Sequence, residues 1–134
     1  MLNLLKGQKE MINKQEFLET YNYIDNEVLV EIIDIFLNEH ESRIGKLYSD
    51  VKTGDYKALR YDAHAMKGVI ANFYAKPAWE IAKTLEDTGS KLIEDPAAYD
   101  AHSLTEMVDT LNSHVHAMAV QLKEIKEELI TPTG

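Results

Sequence analysis

The residues of this chain best suited to chemistry are His64, Lys67 and Gly68, within the run Ala63-His64-Ala65-Met66-Lys67-Gly68. A neutral imidazole offers one lone-pair nitrogen as nucleophile, and an unperturbed pKa of about 6.5 leaves a usable neutral fraction near pH 7. A lysine three residues on stands one helical turn away, as a point charge for an anion held at the ring. A glycine inside a helix costs about 1 kcal/mol relative to alanine, so Gly68 asks for a reason. Room for another group to approach the ring is one. Lys57 and Arg60 share this face. An acidic chain whose few cations gather round one histidine is suited to receiving an anionic group or an acidic partner pocket.

The element that must position these residues is a helix over 56–73. Tyr56, Leu59, Ala63, Met66, Ile70 and Phe73 recur at spacings of three and four, a stripe that buries one face against partner helices. At about 100° per residue, His64 points roughly 130° from the centre of that stripe, towards solvent, with Lys57, Arg60, Lys67, Gly68 and Ala71 as its outer-face neighbours.

The rest of the chain reads as further helices. Asn13 caps a short one over 14–22. Asp25 or Asn26 caps a long one over 27–52 with the stripe Leu29, Ile33, Phe36, His40, Ile44, Leu47 and Val51, ended by Gly54; Asp55 caps the histidine helix. Pro77 opens a helix over 77–94 whose core residues are Ala78, Ile81, Ala82, Leu85 and Leu92, with Gly89 as a point of weakness or bending. Pro96 starts the last helix, which runs to 129 with the heptad Leu104, Val108, Leu111, Val115, Met118, Leu122, Ile125 and Leu129 and is long enough to overhang its neighbours. Short links between amphipathic helices, and no alternating strand-like runs, predict an all-α antiparallel four-helix bundle with a short extra N-terminal helix. The expected organisation is a mobile lead-in over 1–12, the bundle over 13–130 and a tail over 131–134.

With Val69-Ile70-Ala71-Asn72 added, the central run resembles the signature of histidine-containing phosphotransfer (HPt) domains. There an alanine precedes the histidine, a lysine and a glycine follow it by three and four residues, and an asparagine often follows by eight. Those positions are Ala63, His64, Lys67, Gly68 and Asn72. Phe36-Leu37 and Asp55 upstream, and Ala82 and Leu85-Glu86 downstream, also fit, so the resemblance spans roughly 15–129. It departs from the family pattern twice. Val69 and Ile70 stand where small residues commonly follow the glycine, and Tyr74 stands where a second glycine often lies, in the turn to the next helix.

The resemblance implies a phosphorelay intermediate of two-component signal transduction. His64 accepts a phosphoryl group from a receiver-domain aspartate and passes it to another receiver. Lys67 meets the equatorial oxygens of the transferring group, where catalysis is largely positioning plus electrostatics. Gly68 keeps the in-line approach open, and Lys57, Arg60, Ala71 and Asn72 belong to the docking face. The partners implied are response-regulator receivers or a hybrid histidine kinase. Mg²⁺ is expected on the receiver, and this chain is expected to have no cofactor, no metal site, no ATP site and no autonomous kinase activity. The alternative is a helical scaffold in which His64 is incidental. The dimerisation bundle of a sensor kinase fits less well, because its histidine is typically followed by an acidic residue, then arginine or lysine, then proline.

Composition agrees with a single folded domain. Apolar residues make up 45% of 134, and six glycines and three prolines leave room for long helices. The net charge of -9 argues against nucleic acid as the main partner. No apolar run approaches 18 residues and no signal peptide is evident, so no membrane insertion is expected. The absence of cysteine fits a reducing cytoplasm. A monomer is expected. The other histidines read as structural: His40 lies in a core stripe, and His114 and His116 diverge by about 160° on a helix, which with His102 makes no ligand set. Trp79 reads as core, beside a small apolar patch with Phe73 and Tyr74, and Glu86 and Asp87 as a solvated face.

Overall fold

The computed structural model describes residues 10–131. Five helices follow one another: α1 (Lys14–Thr20), α2 (Asn26–Thr53), α3 (Tyr56–Ala71), α4 (Lys76–Glu94) and α5 (Ala101–Ile130). Helices α2 to α5 form a closed ring of neighbours, α2 on α3, α3 on α4, α4 on α5 and α5 on α2. The links are too short for anything but antiparallel neighbours. Cross-contacts fix the register of α2 against α5: Lys126 Nζ donates to Asp34 at 2.7 Å and Tyr48 Oη donates to Asp109, so low numbers on one helix meet high numbers on the other.

Local sequence sets most of the boundaries. The Asn13 carboxamide oxygen accepts from the Glu16 N–H, and the Asp55 carboxylate accepts from the Ala58 N–H. Gly54 ends α2 in the left-handed region, at φ 69°. The last helix differs from expectation. It begins at Ala101, not at Pro96, because the Asp100 carboxylate accepts from the Ser103 N–H at 2.7 Å and caps the helix there. Residues 95–100 are a turn, in which Ala97 N–H donates to Asp95. Gly89 neither ends nor breaks α4, which runs on through it to Glu94.

Helices α2 and α5, with 28 and 30 residues, run about 42 and 45 Å, whereas α3 and α4, with 16 and 19, reach only about 24 and 28 Å. The overhang this leaves is filled. Phe17 of α1 is fully buried, its ring 5.6 Å from Phe73, which in turn lies 5.1 Å from Phe36. Ile12 is also fully buried, and its backbone N–H and carbonyl pair with the Gln121 carboxamide at 2.8 and 2.9 Å. Residues 1–9 of the expected lead-in and 132–134 of the tail lie outside the described residues.

The expected core is buried along its length, from Leu29 and Ile33 through Leu59, Met66, Leu85 and Leu92 to Leu122 and Ile125. Ile81 and Leu129 are only half-buried, at the margin of that core. His40 is buried, stacked on Phe36 with ring centroids 5.5 Å apart. One polar group inside the bundle is unexpected. Asp50 is buried between α2 and α3, and its Oδ2 lacks any hydrogen-bond partner among the described residues. Burial first, then Asp62 and Asp55, push its carboxyl up to about 7, and Lys46 offsets this only in part.

Candidate functional site

The phase of α3 places its side chains as the stripe requires. Leu59, Ala63, Met66 and Ile70 are buried, while the His64 side chain is 68% exposed on the opposite face. Lys57, Arg60, Gly68 and Ala71 are exposed on that face too. Asn72 is the C-cap residue of α3, and its carbonyl accepts from Tyr21 Oη at 3.1 Å. Its side chain lies round towards α2, beside Val69 and Phe73 in a hollow of about 190 Å³.

The group closest to the imidazole is a carboxylate, not one of the three expected cations. Glu86 of α4 places Oε2 2.6 Å from His64 Nδ1 and Oε1 2.6 Å from Lys67 Nζ. Its side chain is only 20% exposed, so the expectation of a solvated face fails for Glu86. It holds for Asp87, which is 60% exposed and pairs with Lys83. Burial pushes the Glu86 carboxyl up, but hydrogen bonds and charge from Lys67 and His64 outweigh it and leave it below the usual carboxylate range. Glu86 is therefore ionised near neutral pH and can only accept. The proton of a neutral His64 then sits on Nδ1, and the Nε2 lone pair faces solvent.

Lys67 is held rather than free. Besides its pair with Glu86, its ammonium lies 5.9 Å from the centroid of the Trp79 ring. Trp79 is only partly buried, packed against the margin of the core at the edge of the site. Gly68 of α3 and Gly89 of α4 have opposite surroundings. A Cβ on Gly68 would meet nothing within 4 Å, which rules out close helix packing as its reason. A Cβ on Gly89 would lie 3.0 Å from the Arg60 backbone nitrogen and 3.1 Å from its Cα. Gly89 lets α4 approach α3 closely, and that approach brings Glu86, one turn earlier, to the ring.

The antiparallel bundle presents the His64 imidazole to solvent, with a carboxylate on Nδ1 and a lysine and an open glycine beside it. The family model described as Hpt domain matches residues 31–127, and the chain belongs to that family. Among solved structures, histidine-containing phosphotransfer protein B (HptB) from Pseudomonas aeruginosa PAO1 has the same fold. It matches with a TM-score of 0.76 at 16% identity, over 90% of this chain and 98% of that one. No curated protein matches the sequence. Family and fold support histidine phosphotransfer within a two-component phosphorelay, in which Hpt domains work with receiver domains and histidine kinases. No helix among the described residues is long and apolar enough to cross a membrane.

Proposed function

We propose that His64 is the phosphoryl acceptor and that Nε2 is the reacting atom. The observation that carries this reading is the 2.6 Å contact between Nδ1 and Glu86, which commits one ring nitrogen and leaves the other open. The Nε2 lone pair attacks the phosphorus of a receiver's aspartyl phosphate. The N–P bond forms, the acyl P–O bond breaks, and the aspartate leaves as a carboxylate. The ring, with Nδ1 still protonated, takes on positive charge, which the Glu86 carboxylate stabilises at contact distance. The return reaction to another receiver reverses these steps.

Lys67 is the cation for the equatorial phosphoryl oxygens. Its pair with Glu86 and its place by Trp79 keep it within one turn of the ring, so meeting the phosphoryl group needs only a change of side-chain rotamer. Gly68 leaves the approach path clear. Lys57, Arg60, Ala71 and Asn72 contribute to the docking face. Among the described residues neither Lys57 nor Arg60 has an ion-pair partner, which leaves both cations free for an acidic receiver pocket. The protein acts as a cytoplasmic monomer in this reading.

The test is transfer of label from a phosphorylated receiver. Acid-labile, base-stable label on the wild type that is lost in His64→Gln supports the assignment. Equal labelling of the two refutes it.

A further inference from the structure

The face of α3 that carries His64 continues into a hollow of about 400 Å³ where the end of α3, the start of α4 and α1 meet. Ala71 and Ala75 line it with the rings of Tyr74 and Trp79, and Lys76 and Glu16 stand among its polar residues. Ala71 follows His64 by seven residues, which on a helix is about 10 Å along the axis and only about 20° round it. The hollow therefore opens beside the imidazole, on the same side of the molecule. The smaller hollow against α2 is reached from α3 through Val69 and Asn72, which lie about 140° and 80° round the helix from His64.

Tyr74 shapes this hollow at a conformational cost. Its φ of 56° lies in the left-handed region, uncommon for a bulky residue, and it occupies the position where the resemblance leads one to expect glycine. Two contacts hold it there. Thr20 Oγ1 donates to Tyr74 Oη at 3.0 Å, and the Asn13 N–H donates to the Tyr74 carbonyl at 2.9 Å. A glycine would make the same turn without strain but would leave the hollow without one of its two aromatic rings.

We infer that this hollow is an anchor pocket for the receiver partner and takes one large apolar side chain, leucine- to phenylalanine-sized, from the receiver surface beside its phospho-aspartate. The inference rests on the reading of His64 as acceptor. A standard protein interface covers roughly 800 Å² per partner, a disc of about 16 Å radius. A receiver centred on His64 covers the hollow within that disc. Small residues, two aromatic rings and charged neighbours match the pattern of interface anchor pockets, in which a central apolar contact is shielded by a polar rim. Trp79 belongs both to this pocket and to the support of the Lys67 ammonium. Filling the pocket therefore places the partner against a residue that touches the transfer site.

Trp79 is the single tryptophan of the chain, so incorporation of 5-fluorotryptophan gives one ¹⁹F resonance, which reports on the pocket and on the Lys67 contact that shares the ring. The probe is the receiver domain that labels the wild-type chain fastest among those of its genome. A saturable shift of that resonance on titration with the unphosphorylated receiver is expected. So is an at least fivefold fall, in Ala71→Phe, of the receiver-driven labelling rate divided by the same variant's labelling rate with phosphoramidate, a donor too small to use the pocket. Transfer from the receiver with an unmoved resonance overturns the inference while leaving the His64 assignment intact. Equal receiver-driven labelling of the wild type and His64→Gln overturns the assignment, and the inference with it.

Discussion

The two helical glycines near the site make opposite predictions under the same substitution. Gly68 is exposed, and a Cβ there meets nothing within 4 Å. Gly68→Ala therefore recovers helix propensity with no packing penalty, a gain of about 0.5–1 kcal/mol. At this chain length that is roughly 2–5 °C in Tm. At Gly89 the same propensity gain meets a Cβ 3.0 Å from the Arg60 backbone, which cannot swing aside as a side chain can. Overpacking of this kind costs typically 1–3 kcal/mol, so Gly89→Ala destabilises the protein on balance. Function should run the other way from stability at Gly68. Gly68→Gln keeps good helix propensity but sweeps a long side chain across the approach to His64, and receiver-driven labelling should fall at least tenfold. The assays are thermal unfolding by circular dichroism and label transfer from a phosphorylated receiver. A Gly68→Ala protein less stable than wild type, or a Gly68→Gln protein that transfers at the wild-type rate, refutes the argument that open space is the reason for this glycine.

Three further outcomes follow from named contacts. Glu86→Ala frees Nδ1 and releases Lys67, so receiver-driven labelling of His64 should drop roughly 10- to 100-fold, the range found for groups that orient a histidine through its other ring nitrogen. Unchanged labelling in that variant removes Glu86 from the mechanism. Asp50 has a folded-state carboxyl raised to about 7 from 3.8, so its ionisation opposes folding. The penalty is absent below about pH 4, grows as pH rises to about 7 and is constant above, with a ceiling of roughly 4 kcal/mol at 1.36 kcal/mol per unit. Asp50→Asn should therefore stabilise the protein in urea unfolding at pH 8 and lose that advantage towards pH 4; an advantage independent of pH contradicts this. Tyr74→Gly relieves the left-handed strain but removes the Thr20 contact that ties α1 to the α3–α4 turn. Hydrogen exchange of α1 amides should speed up in that variant, and equal exchange in both proteins shows that the tie holds nothing.

Much of this was legible in the sequence because helical phase alone decides which face of α3 is buried. The exposure of His64 and Lys57 and the burial of Met66 follow from spacings of three and four. Glu86 was not legible in the same way. It lies 22 residues from His64 on another helix, and only the approach of α3 to α4 at Gly89 brings them together. A signal existed. A helix-interior glycine is one mark of a close crossing, and a carboxylate one turn from such a crossing can reach across it. Local sequence does not separate Gly68 from Gly89, since both are helix-interior glycines; the neighbouring helix separates them. Pro96 misled because proline favours a first helical turn, whereas Asp100 and Ser103 make the cap four residues later.

The central claim is that Glu86 commits Nδ1 and leaves Nε2 of His64 to take the phosphoryl group. The most direct measurement is heteronuclear NMR of ¹⁵N-histidine-labelled protein after transfer from a phosphorylated receiver. The account predicts phosphorus coupled to Nε2 of His64 and to no other ring nitrogen. Phosphorus on Nδ1 of His64, or on any of the other four histidines, contradicts it.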